Sequence, residues 1–170
     1  YEKKDGGYWV VDPTGNHLFL TTSNENLEEI DDALVDLEYL IRKPIKPDSK
    51  APVLLLLHGY GSNEKDIFSF SPKIQENWLV ISVRAPFEMT KDQYKWYDVK
   101  LVDEKITANL DNEKSSRESI LHLIDKVVTE NNGDPEKIVA SGFSQGANMA
   151  LNLFLTDSDV VSAAACFSGR

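Results

Sequence analysis

Lys137-Ile138-Val139-Ala140-Ser141-Gly142-Phe143-Ser144-Gln145-Gly146-Ala147-Asn148-Met149-Ala150-Leu151-Asn152-Leu153-Phe154-Leu155 is the stretch that decides the fold. Residues 137–141 read as a short strand, and Gln145 to Leu155 keeps a helical pattern of apolar residues. Between them lies Gly142-Phe143-Ser144-Gln145-Gly146, with no room for a loop. A chain that passes from strand to helix over so few residues must turn sharply. The glycines supply that turn by removing side chains that would meet neighbouring backbone.

Outward from this junction, the same alternation recurs. Val53-Leu54-Leu55-Leu56-Leu57 is apolar throughout and bounded by Pro52 and Gly59. It is too short for a free-standing helix and reads as a strand covered on both faces. Trp78 to Val83 reads as a second such strand, stopped by Pro86. Leu37 to Arg42 is a third, ended by Pro44 and Pro47, and Val160 to Phe167 a further one. Asn63 caps an expected helix running to about Ile74, with Pro72 disturbing its end. Asn112 to Glu130 is an amphipathic helix whose stripe is Ile120, Leu123, Ile124, Val127 and Val128, followed by a turn at Gly133-Asp134-Pro135. Strands alternating with helices imply an α/β fold with a mostly parallel sheet and helices on both faces. Residues 37–170 form this expected domain.

Residues 1–36 read differently. Tyr8–Val11 and Asn16–Thr21 are β-prone runs around Asp12-Pro13-Thr14-Gly15, whose residues suit a type I turn. Seven acids and no base follow between positions 23 and 38, with Leu27, Ile30, Leu34 and Leu37 at helical spacing. A short amphipathic helix or an acidic linker fits that stretch.

The 170 residues carry 18 Lys+Arg against 28 Asp+Glu, a net charge of −10, and 41% are hydrophobic. That balance places the chain among soluble globular domains and argues against a nucleic-acid partner, which calls for a basic stripe. No apolar run reaches the roughly 18 residues of a membrane span. Cys166 is the single cysteine. It has no partner for a disulfide and no zinc-ligand spacing, and it reads as a small buried hydrophobe. A cytoplasmic location follows as the expectation, although a chain opening on Tyr1 rather than Met leaves room for a removed leader. Neither a metal nor a cofactor is expected.

The chemistry is carried by Ser144. A serine on a strained strand-to-helix turn projects its hydroxyl above the sheet, and the helix that follows offers its N-terminal amides to a developing oxyanion. His58-Gly59-Tyr60-Gly61 stands directly after the Val53–Leu57 strand. Hydrolases with such a serine elbow place an oxyanion loop after an early strand, with small residues that let backbone approach substrate. Alone, the tetrapeptide is as well explained by a plain glycine turn.

Four segments together carry a resemblance: Leu54–Asp66 (LLLLHGYGSNEKD), Trp78–Met89 (WLVISVRAPFEM), Tyr94–Val99 (YKWYDV) and Lys137–Leu153 (KIVASGFSQGANMALNL). In order and spacing they resemble the phospholipase/carboxylesterase family of α/β-hydrolases, which includes the acyl-protein thioesterases. The likeness covers residues 37–169. It implies an α/β-hydrolase fold, hydrolysis of carboxylic esters or thioesters through an acyl-serine, Ser144 as nucleophile, and the amides of Tyr60 and Gln145 as oxyanion hole. It also implies Trp96, near the acyl pocket, as a substrate-binding residue, and a small ester or acyl compound as partner.

The departure lies after Ser144. In this fold the order is serine, acid, histidine, yet no histidine follows Ser144, and Asp157 and Asp159 come too early to serve as the acid. The sequence therefore reads as a C-terminally incomplete hydrolase domain, inactive alone, with base and acid expected beyond Arg170. Its last strand, uncovered, is expected to pair with a second copy as a homodimer. His122, near Glu118, Asp125 and Lys126, reads as solvent-exposed. His17 lies in the hairpin, and His58 is structural in the family. Two rivals stay open: a non-catalytic hydrolase-like binding module that has lost its triad, and an interaction protein working through residues 1–38.

Overall fold

Successive side chains of a strand point to opposite faces, so an apolar run with no polar alternation needs cover on both sides. The computed structural model, which describes residues 2–4, 7–11, 17–21, 35–45, 49–102 and 105–169, shows such cover. The chain divides into two units, Tyr1–Leu34 and Val35–Arg170.

In the first unit, β1 (Glu2–Lys4), β2 (Gly7–Val11) and β3 (His17–Thr21) form an antiparallel sheet in that order. The β2–β3 hairpin was legible, with Trp9 opposite Phe19; β1 was not. The expected turn at 12–15 and the acidic stretch up to 34 lie outside the described residues.

The second unit is built on five strands: β4 (Tyr39–Arg42), β5 (Ala51–Leu57), β6 (Leu79–Val83), β11 (Gly133–Phe143) and β12 (Ala163–Phe167). Their order is β12-β11-β5-β6-β4. All neighbours are parallel except β4, which runs antiparallel to β6 at the edge. Val53, Leu55 and Leu57 face one core with Leu79, Ile81 and Val83. That core is closed by α2 (Leu110–Glu130), through Ile120, Leu123, Ile124, Val127 and Val128, and by α3 (Gln145–Thr156), through Met149, Ala150 and Leu153. Leu54, Leu56 and Val80 face the other way, against Ile67, Ile74 and Trp78. Here the cover is α1 (Glu64–Phe68) and a 3-10 turn at Ser71–Lys73. This is an α/β-hydrolase fold with helices on both faces.

Several expected boundaries shift for local reasons. Asn63 caps α1 by accepting from the Lys65 and Asp66 amides at 2.9 and 3.1 Å, but the helix stops at Phe68 and Pro72 sits within the tighter 3-10 turn. Asn109, rather than a later residue, caps α2. The turn after α2 is taken by Asn132 at φ 55°, so Gly133-Asp134-Pro135 are already extended and β11 absorbs them with a register shift before Ile138. Val160 and Val161 both donate to the Asp157 carbonyl, delaying β12 to Ala163.

Two antiparallel hairpins, β7 (Phe87–Thr90) with β8 (Gln93–Lys95) and β9 (Val99–Val102) with β10 (Lys105–Ala108), were not foreseen. Cys166 is exposed rather than buried: its thiol reaches the Ala147 carbonyl of α3 at 3.4 Å, but β12 is the outermost strand of the sheet and pairs on one side only among the described residues. No described helix is long and apolar enough to cross a membrane.

Candidate active site

The C-terminal ends of β5 and β11 lie side by side, with Leu57 paired to Gly142. The segments that leave these strands therefore meet. Ser144 stands between β11 and α3 at φ 52°, ψ −113°, a region that costs a non-glycine residue of order 1–3 kcal/mol. The surroundings hold it there. Its amide donates to the Phe167 carbonyl at 2.8 Å, and its carbonyl accepts from Ala147 and Asn148 at 3.0 and 3.2 Å. A β-carbon on Gly142 would overlap the Gly146 carbonyl, and one on Gly146 would overlap the carbonyls of Leu57 and His58. Both glycines are thus required by backbone-to-backbone approach.

The loop His58–Gly61 lies against the turn at Ser144: a β-carbon on Gly59 would come within 3.6 Å of the Ser144 β-carbon. Among the described residues, neither the Tyr60 nor the Gln145 amide donates a backbone hydrogen bond. The loop is clamped by β8, where the Gly61 amide donates to the Tyr94 carbonyl and the Tyr94 amide to the Ser62 carbonyl, both at 2.9 Å. Arg84 lies over the Tyr94 ring at 4.9 Å and donates twice to the buried Glu64 carboxylate, at 2.8 and 2.7 Å. That pairing keeps the Glu64 carboxyl below the usual range and Arg84 raised above its own. Sequence reasoning missed this clamp; the run Thr90-Lys91-Asp92-Gln93, with Asp92 at φ 61°, was its one local signal.

Gln145 is buried. Its side chain accepts from the Trp96 amide and donates to the Tyr97 carbonyl, each at 2.8 Å. Trp96 is fully buried and does not line the cavity beside Ser144. The indole is enclosed between the His58–Gly61 loop, the start of α3 and α2. The cavity itself has a volume of about 860 Å³ and is mainly apolar, with Leu54, Leu56, Ile67, Phe70, Phe143 and Phe167 among its walls together with Ser144.

Both ring nitrogens of His58 have partners. Its Nδ1 lies 2.8 Å from the Gly59 carbonyl, and its Nε2 accepts from the Ala85 amide at 3.0 Å. The proton therefore sits on Nδ1 and both nitrogens are occupied. Burial is the largest influence on the ring and holds it below its ordinary value of 6.5. Such a ring binds its proton more readily in the unfolded chain. Stability is then full above about pH 6.5 and falls as pH drops toward the native value, at most about 1.4 kcal/mol per pH unit. Histidine NMR at pH 6 is expected to show His58 as the neutral Nδ1–H tautomer; a ring titrating at or above 6.5 would contradict this. His122 is exposed on α2, and His17 lies on β3 of the first unit. Among the described residues no cluster of three potential metal ligands occurs.

A family model described as Phospholipase/Carboxylesterase matches residues 38–170. Among solved structures, the chain is similar to the Bacillus cereus carboxylesterase (26% identity, 82% of this chain and 62% of that one, TM-score 0.63). It is also similar to esterase PE8 (23% identity, 79% and 65%, TM-score 0.67) and to Zea mays acyl-protein thioesterase 2 (20% identity, 67% and 49%, TM-score 0.53). The chain thus spans less than two thirds of the length of these structures. No curated protein matches it. On the match over residues 38–170, this chain belongs to the phospholipase/carboxylesterase family.

Proposed function

We propose that the protein is a serine hydrolase of carboxylic esters or thioesters. The observation that carries this reading is Ser144 held at φ 52° between strand and helix, beside the Tyr60 and Gln145 amides, which have no backbone acceptor among the described residues. In the proposed reaction the Ser144 oxygen attacks the acyl carbonyl as a base removes its proton. The Tyr60 and Gln145 N–H groups donate to the tetrahedral oxyanion, where such donors are worth about 10²–10³-fold each in comparable sites. Collapse expels the alcohol or thiol and leaves an acyl-serine, which water then hydrolyses. His58 is occupied and His122 is exposed on α2, so we assign the base to residues outside 35–169.

The lack, among the described residues, of an unoccupied histidine at Ser144 favours a second reading, a hydrolase-like module that binds without reacting. Treating the full-length protein with a fluorophosphonate and mapping the adduct by mass spectrometry separates the two. Modification of Ser144 supports the enzyme. An unmodified Ser144 under conditions that label a known serine esterase supports the module.

A further inference from the structure

An oxyanion hole works only if its donors are fixed before charge develops, because moving them during the reaction costs back what they stabilise. In the proposed site the two donors belong to different segments. Tyr60 sits on the loop after β5 and Gln145 opens α3. What holds one segment against the other therefore sets the geometry.

Trp96, in the connection between β8 and β9, touches both. Its indole N–H donates to the His58 carbonyl at 2.9 Å, two residues before the Tyr60 amide. Its own amide donates to the Gln145 side-chain oxygen at 2.8 Å, so the residue that offers the second donor is gripped by its side chain. The Trp96 carbonyl is fixed in turn by the Ser116 hydroxyl of α2 at 2.6 Å. The indole also packs on the His58 ring, centroids 5.4 Å apart. The His58 carbonyl is thus held from one side by the indole and approached from another by Gly146. A phenylalanine would fill most of this volume; what the indole adds is one N–H aimed at the loop.

We propose that Trp96 is a positioning residue that fixes the spacing between the Tyr60 and Gln145 amides. The proposal rests on the hydrolase reading above. Trp96 is fully buried and is not among the walls of the Ser144 cavity, so in this proposal its influence is confined to the transition state, where the two amides act together. Ground-state binding in the apolar cavity is independent of it.

The test uses the full-length protein and Trp96→Phe. With a p-nitrophenyl ester, kcat is expected to fall about 10- to 100-fold, the scale of a misplacement near 1 Å, with KM within about twofold. A trifluoromethyl ketone, whose serine adduct carries an oxyanion, should bind more weakly by the same factor as kcat/KM falls. Leu123→Ala, a buried change on α2 away from the site, controls for lost stability: it should lower Tm and leave kcat and ketone affinity unchanged. Equal losses in Trp96→Phe and Leu123→Ala at matched Tm, or wild-type kcat in Trp96→Phe, would overturn the proposal. If Trp96→Phe does not fold, Gln145→Met cuts the other link, from the Trp96 amide to the Gln145 side chain, while keeping the Gln145 amide, and an unchanged kcat there overturns the proposal too. Fluorophosphonate labelling keeps the two readings apart. A labelled Ser144 with an unaffected Trp96→Phe rejects the positioning role alone, whereas an unlabelled Ser144 rejects the hydrolase reading and this inference with it.

Discussion

Ser144→Ala in the full-length protein is expected to lower kcat on p-nitrophenyl esters by on the order of 10⁴- to 10⁶-fold, leaving only the turnover that oriented donors and binding provide. The fold should survive. Alanine carries the same β-carbon into the same φ of 52°, so the backbone strain is common to both proteins. The hydroxyl caps no amide of α3, so its removal frees no buried partner. We therefore expect Tm to change by no more than about a degree or two, since no large stability mechanism is engaged. Hydrolysis at wild-type rate in the folded variant would show that another group is the nucleophile.

What could be read from the sequence was what local sterics and periodicity encode. Val53–Leu57 had to be covered twice because no polar residue interrupts it, and its odd and even members do enter separate cores. The α2 stripe was legible for the same reason, and each of its five named residues is buried. Gly142-Phe143-Ser144-Gln145-Gly146 was legible because two missing side chains four residues apart report two close backbone approaches. The two hairpins between Phe87 and Ala108 were hidden: their strands are three or four residues long, and an aspartate rather than a glycine takes the positive φ in the first turn. Cys166 was misread because burial of an outer strand is decided by its neighbours and not by its own apolarity. The hydrogen bonds of Trp96 were hidden as well. Its partners lie 38 and 49 positions away in the chain, and no local pattern reports such bonds.

Gly146→Ala is expected to damage both stability and catalysis, and the sign is not obvious in advance. Gly146 lies in the first turn of α3, where alanine gains up to about 1 kcal/mol in helix propensity. Against that, the new β-carbon would overlap the carbonyls of Leu57 and His58. Both are backbone groups, Leu57 at a strand end paired on two sides and His58 directly after it, so neither can rotate away as a side chain would. Overpacking of this kind costs about 3 kcal/mol, which outweighs the propensity gain. Relief requires α3 to retreat from the end of β5. That movement would carry the Gln145 amide away from Tyr60, so kcat/KM in the full-length protein should fall by about 100-fold or more. Gly61→Ala provides the contrast. Gly61 has φ 75°, but a β-carbon there would meet nothing within 4 Å. The cost at that position is backbone strain alone, about 1–2 kcal/mol, with no displacement of α3. Urea unfolding and ester kinetics on both variants decide the matter. A Gly146→Ala protein as stable and active as the wild type would mean that α3 does not approach the β5 carbonyls as closely as the elbow requires.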